Sequence, residues 1–516
     1  MELEKTKNSI NGFLAGIVNL LISTVMPFVL RTTMVYVIGI EYAGINSLFA
    51  SIFNVISLAD LGFTSAVVYS MYQPIKENNI EKLSQLLGYY RTIYHYVAGI
   101  IFVSGLCVMP FLKSIVTSPI PGNLNIYVLY LGFLFNIVAA YLFGAYRASI
   151  LIAHQRTDVF KIVQSVIMLV GYTAQIVILL LFRNYYLYLI VMILMNVAVV
   201  SSEAYAAKKL FPHIKPKKGL GNDGKKQIFS KVSDLLFKRI GTTVSTSLDS
   251  VIISRYLGLA AVAIYGNYYY VYTAAMSFMN NFFAPLTAGI GNKTLNASKE
   301  ENKVVFNRLN TISNILITFC VTCLFCLYQP FMELWMGKRY MFPYDTVICL
   351  AVYFFVEGSR RLINTYQDAL GMWHEDRFKP LVGAAVNLFF NILLVKTIGV
   401  NGVILSTIIS YLFIELPWEC HILFTKYFQE SPVSFYLSML KNLLITAGVT
   451  FITFECTQLL RVSGSVLNLL VSLVITLACS LGMIFVIYHR NENFQFALER
   501  LKEHFPQLRL HRNGTN

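Results

Sequence analysis

The sequence predicts an all-α integral membrane protein of about 14 transmembrane helices, built as two six-helix lobes with two extra helices at the C-terminal end. Three observations point there. Of 516 residues, 56 % are hydrophobic and 13 % charged, too little polar surface for a soluble chain of this length. Apolar runs long enough to cross a bilayer recur from end to end. The chain is also written twice, with an offset of about 220 residues. Ile38-Gly39-Ile40 and Ala43-Gly44-Ile45 return as Leu257-Gly258-Leu259 and Val262-Ala263-Ile264. Pro110-Phe111-Leu112 returns as Pro330-Phe331-Met332, and Tyr146 and His154 return as Tyr366 and His374. Single matches are cheap in an apolar sequence, but landmarks spread over more than 100 residues at one offset are not.

Spans are predicted at 11–38, 45–72, 86–112, 123–147, 160–182, 186–210, 231–257, 262–290, 306–335, 342–371, 378–398, 400–425, 433–459 and 465–489. The N-terminal lobe is 1–210, the C-terminal lobe 231–430, and the appended helices 431–490. Six spans per copy return the chain to its starting side, so the lobes share one orientation and a pseudo-two-fold axis along the membrane normal. The first span carries Pro27 and Arg31 and lacks a secretory cleavage site, so it is expected to be retained. The joint 211–230 is rich in Pro, Gly and Lys and reads as a flexible linker. In the tail 491–516, Phe494 to Leu508 is partly amphipathic and is expected to lie on the inner leaflet.

Basic residues orient the chain. With both termini in the cytoplasm, 27 of the 41 Lys and Arg fall on the inner side, 7 on the outer side and 7 inside spans. Inner loops facing anionic lipid explain the net charge of +15 without nucleic acid. The eight Cys lie in or at spans; Cys320, Cys323 and Cys326 have a cluster-like spacing but no fourth ligand close by, so packing is expected. Gly219, Gly221 and Gly224 satisfy G-x-G-x-x-G, yet no strand precedes them and Lys226 stands where a phosphate loop needs Ser or Thr. Asn292-Lys-Thr and Asn513-Gly-Thr match the glycosylation pattern on the wrong side of the membrane. No catalytic constellation, metal set or cofactor motif is apparent, and none of these groups is expected.

An ionisable group at bilayer depth costs several kcal/mol, so such residues usually face a cavity or a partner. Asn19, Ser23, Pro27 and Arg31 recur every four residues and form one polar stripe on the first span. Asp60 sits mid-span in the second helix, about 12 Å from the depth of Arg31. The seventh span is polar throughout, with Lys238, Arg239, Thr243, Thr246 and Asp249. It and the first are expected to line a water-filled cavity. Arg91 and His95 lie a turn apart on the third span, and Glu357 pairs by spacing with Arg361, beside Arg360, on the tenth. The cations Arg31, Arg91, Arg239, Arg360 and Arg361, with His95, are the candidate phosphate-binding set, since the arginine fork suits phosphate. Asp60, Glu357 and Asp249 could bind a coupling cation or pair with Arg. Lys441, near an inner helix end, reads as a snorkelling side chain. Tyr265, Tyr268 and Tyr269 form either an interfacial belt or sugar-stacking faces.

Arg31-Thr-Thr-Met-Val-Tyr-Val-Ile-Gly-Ile-Glu-Tyr-Ala-Gly-Ile-Asn-Ser-Leu-Phe, then Ser57-Leu-Ala-Asp-Leu-Gly-Phe-Thr-Ser-Ala-Val and Tyr72-Gln-Pro, resemble polysaccharide repeat-unit flippases of the Wzx type. These belong to the multidrug/oligosaccharidyl-lipid/polysaccharide (MOP) exporter superfamily. The resemblance covers essentially the whole chain and implies a V-shaped bundle in the bacterial cytoplasmic membrane. It implies transfer of undecaprenyl-diphosphate-linked oligosaccharide from inner to outer leaflet by alternating access. Membrane lipids and polysaccharide-assembly proteins are the implied partners, and a monomer the implied state. An Arg in the first helix is a feature of related lipid II flippases, which supports Arg31. Their two C-terminal helices form a groove for the polyprenyl tail, which implies the same for 431–490. Asp60 departs from the pattern, since many relatives carry Glu there. Two alternatives remain: a cation-coupled multidrug exporter of the same fold, and a polysaccharide polymerase or ligase, which would need a larger outer loop.

Overall fold

The structure, a computed structural model, describes residues 2–57, 63–122, 124–154 and 156–504. Its helices are, in order, α1 (Glu2–Val37), α2 (Ile40–Ile56), α3 (Phe63–Lys76), α4 (Ile80–Val108), α5 (Leu112–Ile115), α6 (Ile126–Leu142), α7 (Ala148–Ala153), α8 (Thr157–Phe182), α9 (Tyr185–Leu210), α10 (Asn222–Leu257) and α11 (Leu259–Asn296). There follow α12 (Lys299–Met336), α13 (Tyr344–Leu370), α14 (Trp373–Asp376), α15 (Lys379–Ile398), α16 (Val400–Ser410), α17 (Leu416–Cys420), α18 (Val433–Leu459), α19 (Ser465–Tyr488) and α20 (Glu492–His504). The predicted spans fall on helices among the described residues, 45–72 on two of them, α2 and α3, with 58–62 outside the described residues, and the described residues contain no strand.

Among the described residues, nine helices are long and apolar enough to cross a membrane by length and composition, or ten if the pair bent by 43° at 142–145 is one span. The other predicted spans are helical but short or polar: α2 has 17 residues, α10 and α13 carry acids and bases, and α11 is rich in Tyr and Asn. Backbone groups in hydrocarbon must be satisfied within the segment, so apolar length alone dictates helix. The repeat recurs as backbone geometry. Gly39 separates α1 from α2 at φ 124°, and Gly258 separates α10 from α11 at φ 87°, left-handed values that favour a residue without Cβ.

The chain divides into two units, Met1–Gly266 and Asn267–Asn516. This boundary lies past the expected lobe boundary because α10 packs against α2, α3 and α5 of the first unit. Gly44 likewise lets the start of α11 lie against α2, since a methyl there would run into the Leu259 carbonyl. The end of α10 is also tied to the turn after α5. Ser254 Oγ donates to the Ile115 carbonyl at 3.1 Å, Thr117 Oγ1 to the Arg255 carbonyl at 3.0 Å, and the Leu259 N–H to Ser118 Oγ at 3.2 Å.

The segment expected to be a flexible linker is docked. Ile214, Leu220 and Ile228 are buried in one cluster with Leu83, Leu87, Tyr90 and Ile150, and helix α10 already begins at Asn222. Composition registered the Pro, Gly and Lys of 211–230 but not the three apolar residues spaced among them.

In the second unit, small hydroxyls fasten α18 and α19 to α12. Thr318 Oγ1 meets Thr446 Oγ1 at 2.8 Å, and Thr322 Oγ1 meets Thr450 Oγ1 at 2.9 Å. Ser472, Thr476 and Ser480, one turn apart on α19, are all buried. Such small polar residues suit helix contacts in lipid, where apolar faces gain nothing by leaving hydrocarbon. Helix α20 leans on α12 through the Arg308 guanidinium, 3.8 Å from the Phe496 ring centroid. The expected surface helix of the tail is therefore held by protein over this stretch; 505–508 lie outside the described residues.

Candidate functional site

In the first unit Arg31 is held by residues that the sequence did not single out. The kinked stripe of α1 carries it to the ends of α2 and α11, where Nη1 donates to Ser47 Oγ and Nη2 to the Ala263 carbonyl, both at 3.0 Å. Gly266 makes the room: a Cβ there would stand 2.8 Å from Nη2. Next to this junction Asn46 donates to the Tyr188 hydroxyl at 2.9 Å and accepts from the Tyr185 hydroxyl at 3.1 Å. The sequence reading overlooked these three residues, although Asn46 lies inside the motif that carries the family resemblance.

The rest of the stripe goes elsewhere. Asn19 is buried against α8, donating to Ser165 Oγ at 3.2 Å and accepting from Lys161 Nζ at 3.1 Å. Ser23 bonds back to the Leu20 carbonyl. Asp60 lies outside the described residues, as does the side chain of Arg239. On α10, Thr243 is half-buried, and exposed Thr246 donates to the Thr243 carbonyl at 3.3 Å. Asp249 is buried and accepts from the Tyr265 hydroxyl at 3.4 Å, which joins two predicted residues across the α10–α11 hairpin. Arg91 and His95 are exposed on α4, in a cleft shared with Lys217 and Lys218.

In the second unit Glu357 and Arg361 pair at 3.4 Å, as their spacing suggests, and remain partly accessible. The Tyr272 hydroxyl donates to Glu357 at 2.6 Å. Its ring stacks between Tyr269, at 5.5 Å and 10°, and Tyr353, at 4.7 Å and 12°. Tyr269, half-buried, is the outermost ring of this stack. Tyr268 plays a different part. It is buried, donates to Gln329 at 3.0 Å and accepts from the Phe342 N–H at 3.1 Å, so it braces a turn and offers no open sugar face.

Arg360 also departs from expectation. It is 5 % exposed and held by Glu419, with Nη2 at 2.6 Å and Nε at 3.0 Å, and by Glu415. Lys379 closes the group at 2.7 Å from Glu419 and 2.9 Å from Asp376. The Tyr411 ring lies 4.0 Å from the guanidinium. Wide π-helical turns at Tyr411–Glu415 and His421–Phe428 flank α17, and re-phasing the helix aims both glutamates at α13. Gly383 leaves space for the Glu415 carboxylate. Arg360 is thus an internal counter-ion of the fold, whereas its neighbour Arg361 keeps a reachable face. The other four charged residues of this group went unnoticed in the sequence, although Glu415-Leu-Pro-Trp-Glu419 inside an apolar span was a signal for the two glutamates.

An apolar groove of about 330 Å³ runs between α12, α13 and α18, lined by Val321, Phe325, Val352, Phe355, Leu443 and Phe451. It lies on α18 but is completed by α12 and α13 rather than by α19. At its turn end a polar pocket of about 350 Å³ contains Glu333, Lys338, Arg461 and Asn468. The rings of Phe325, Tyr344 and Phe454 pack together where the two meet.

Residues 10–288 match a family described as "Polysaccharide biosynthesis protein". No curated protein matches the sequence. Among solved structures, lipid II flippase MurJ in an inward closed conformation is similar at TM-score 0.65 and 14 % identity, covering 94 % of this chain and 99 % of that one. A multidrug resistance MATE family transporter of the MOP superfamily, inward-facing, is similar at TM-score 0.58 and 12 % identity, covering 85 % and 98 %. The Vibrio cholerae MATE transporter VcmN, in its bent form, follows at TM-score 0.51 and 12 % identity, covering 86 % and 98 %. At these identities the likeness is one of fold. The family match spans more than half of the sequence, and the chain belongs to the polysaccharide biosynthesis protein family, carried on the fold of the MOP superfamily transporters.

Proposed function

We propose that this protein moves undecaprenyl-diphosphate-linked oligosaccharide repeat units from the inner to the outer leaflet of the bacterial cytoplasmic membrane, for assembly of a surface polysaccharide. The observation that carries the reading is a polysaccharide-biosynthesis sequence on a transporter fold. A hydrophilic glycan and a diphosphate cannot cross hydrocarbon unaided, so such a pathway needs a membrane transporter for its lipid-linked intermediate. The likeness in fold to a structure described as a lipid II flippase extends over nearly the whole chain and supports a lipid-linked cargo.

Side-chain chemistry supports the same cargo. Each unit carries an arginine fork of the kind that diphosphate oxygens take, Arg31 in the first and Arg361 in the second, and Thr243 and Thr246 of α10 add hydroxyls in the first. The face of Tyr269 suits a pyranose ring, and the groove beside α18 suits a polyprenyl tail. Alternating access would deliver the sugar without exposing it to lipid. Positive-inside loops put both termini in the cytoplasm. Polysaccharide-assembly proteins would receive the product.

Spheroplasts of cells lacking the protein, compared with complemented cells, test this. An impermeant lectin should bind lipid-linked oligosaccharide on complemented spheroplasts and find about tenfold less on the deletion strain, while total lipid-linked oligosaccharide rises. Equal lectin binding in the two strains would overturn the proposal. So would restored dye efflux with no change in glycan, which would assign the fold to drug export.

A further inference from the structure

We propose that the cleft between α4 and the docked segment 211–221 is a headgroup site for an anionic phospholipid of the bilayer. The cleft holds about 620 Å³ and is lined by Gly88, Arg91, Thr92, His95 and Tyr96 of α4 and by Pro216, Lys217 and Lys218 of the segment. It does not depend on what the protein transports.

The cleft is built, not a chance gathering of surface lysines. The Lys217 N–H donates to the Ser84 carbonyl at 2.9 Å, which pins the segment along the first turns of α4. Gly88 lets it lie there, because a Cβ at 88 would collide with the Lys217 backbone. Ile214 on one side and Leu220 on the other are buried in the core cluster. Lys217 and Lys218 are therefore delivered to fixed places beside Arg91.

The cations are not neutralised from within. Lys217 pairs with Glu81 at 2.9 Å, but among the described residues no carboxylate pairs with Arg91 or Lys218. His95 Nδ1 lies 2.6 Å from the Arg91 carbonyl. A carbonyl can only accept, so Nδ1 donates to it and the ring is held against its own helix. Two uncompensated cations on or against a membrane-spanning helix call for an outside anion, and Arg91 offers the fork that phosphate oxygens fit.

Depth selects a lipid over a soluble phosphate. At 1.5 Å per residue the segment shields roughly the first 12 Å of α4, and Arg91 stands about 16 Å from its start. From Tyr96 at the edge of the cleft, 72 % exposed, the same face continues as Ile100 and Val103, which are 54 % and 60 % exposed. A polar cleft followed along one helix face by an open apolar stripe has the order of a phospholipid, headgroup then acyl chain.

The test uses native mass spectrometry of the purified full-length protein. Phosphatidylglycerol and phosphatidylcholine of identical chains are titrated separately against wild type, Arg91→Gln/Lys218→Gln, Gly88→Ala and Lys441→Gln. Wild type and Lys441→Gln should prefer phosphatidylglycerol by about tenfold or more. The double variant should lose that preference, and so should Gly88→Ala, which keeps every cation but displaces the segment. If the double variant fails to fold, Lys218→Gln alone carries the test on an exposed residue. The proposal falls if wild type shows no preference or the folded variants keep it. It also falls if inorganic phosphate or undecaprenyl diphosphate competes at lower concentration than phosphatidylglycerol, which would make this a free-phosphate or cargo site.

Discussion

Arg31 holds its guanidinium where α1, α2 and α11 meet, and the residue that makes this possible is the glycine facing it. A methyl at 266 would stand 2.8 Å from Nη2, well inside contact distance, so Gly266→Ala should push the side chain off Ala263 without removing its charge. If the proposed flippase reading holds and position matters as well as charge, surface glycan display should fall by about tenfold, the worth of one charge-assisted hydrogen bond. Arg31→Ala should abolish display, and Arg31→Lys should restore little, because an ammonium cannot span Ser47 and Ala263 as the fork does. Immunoblots of membranes should show unchanged protein in all three variants. Full display in Arg31→Ala would remove Arg31 from the transport path. The polar stripe on α1 was legible in the sequence from its four-residue spacing. Its members' separate destinations were not, because Ser165, Ser47 and Ala263 lie 146, 16 and 232 residues away from their partners.

At the scale of elements, adjacent arginines on α13 have different fates, and the rotation of about 100° between neighbouring residues decides it. Arg360 faces α15 and α17 and neutralises Glu415 and Glu419; Arg361 points to Glu357 on its own helix. Arg360→Ala would strand the buried Glu415 and leave Glu419 to Lys379 alone, at a cost of about 3–5 kcal/mol, whereas Arg361→Ala removes a partly exposed pair worth about 1 kcal/mol or less. Thermal unfolding in detergent should therefore show a large loss of stability for Arg360→Ala and nearly none for Arg361→Ala. Comparable melting of the two variants would mean that the buried group does not hold these helices together. The hydroxyl ladder predicts a milder effect: Thr446→Val removes its bond to Thr318 and should cost about 0.6–2 kcal/mol by the same measurement. Spacing revealed the Glu357–Arg361 pair because both partners share a helix. It could not distinguish Arg360, whose partners sit 55 and 59 residues away behind two π-helical turns that no heptad or helical count anticipates.

For the molecule as a whole, the spans were legible because hydrocarbon leaves the backbone few options, and the repeat because Gly39 and Gly258 do the same work in each copy. The division by contacts was less so: it depends on α10 lying against α2 and on the start of α11 fitting over Gly44, which a repeat offset does not register. The same glycine logic explains why a Lys-rich stretch judged flexible by composition is fastened to α4 at Gly88. Orientation brings these features to a test. In the proposed topology an even number of spans puts both ends of the chain on one side, and the basic residues favour the cytoplasm. Single cysteines introduced at Arg339, in the turn between α12 and α13, and at Lys215, in the docked segment, should answer oppositely to an impermeant maleimide. With the eight natural cysteines replaced, Arg339→Cys should label in intact cells and Lys215→Cys only after permeabilisation. Reversed labelling would invert the proposed topology and, with it, place the Arg91 cleft in the outer leaflet. Labelling of Lys215→Cys should also be slower than that of a cysteine at exposed Arg490, since its neighbour Ile214 is held in the core; equal rates would mean that the segment leaves α4 in the membrane.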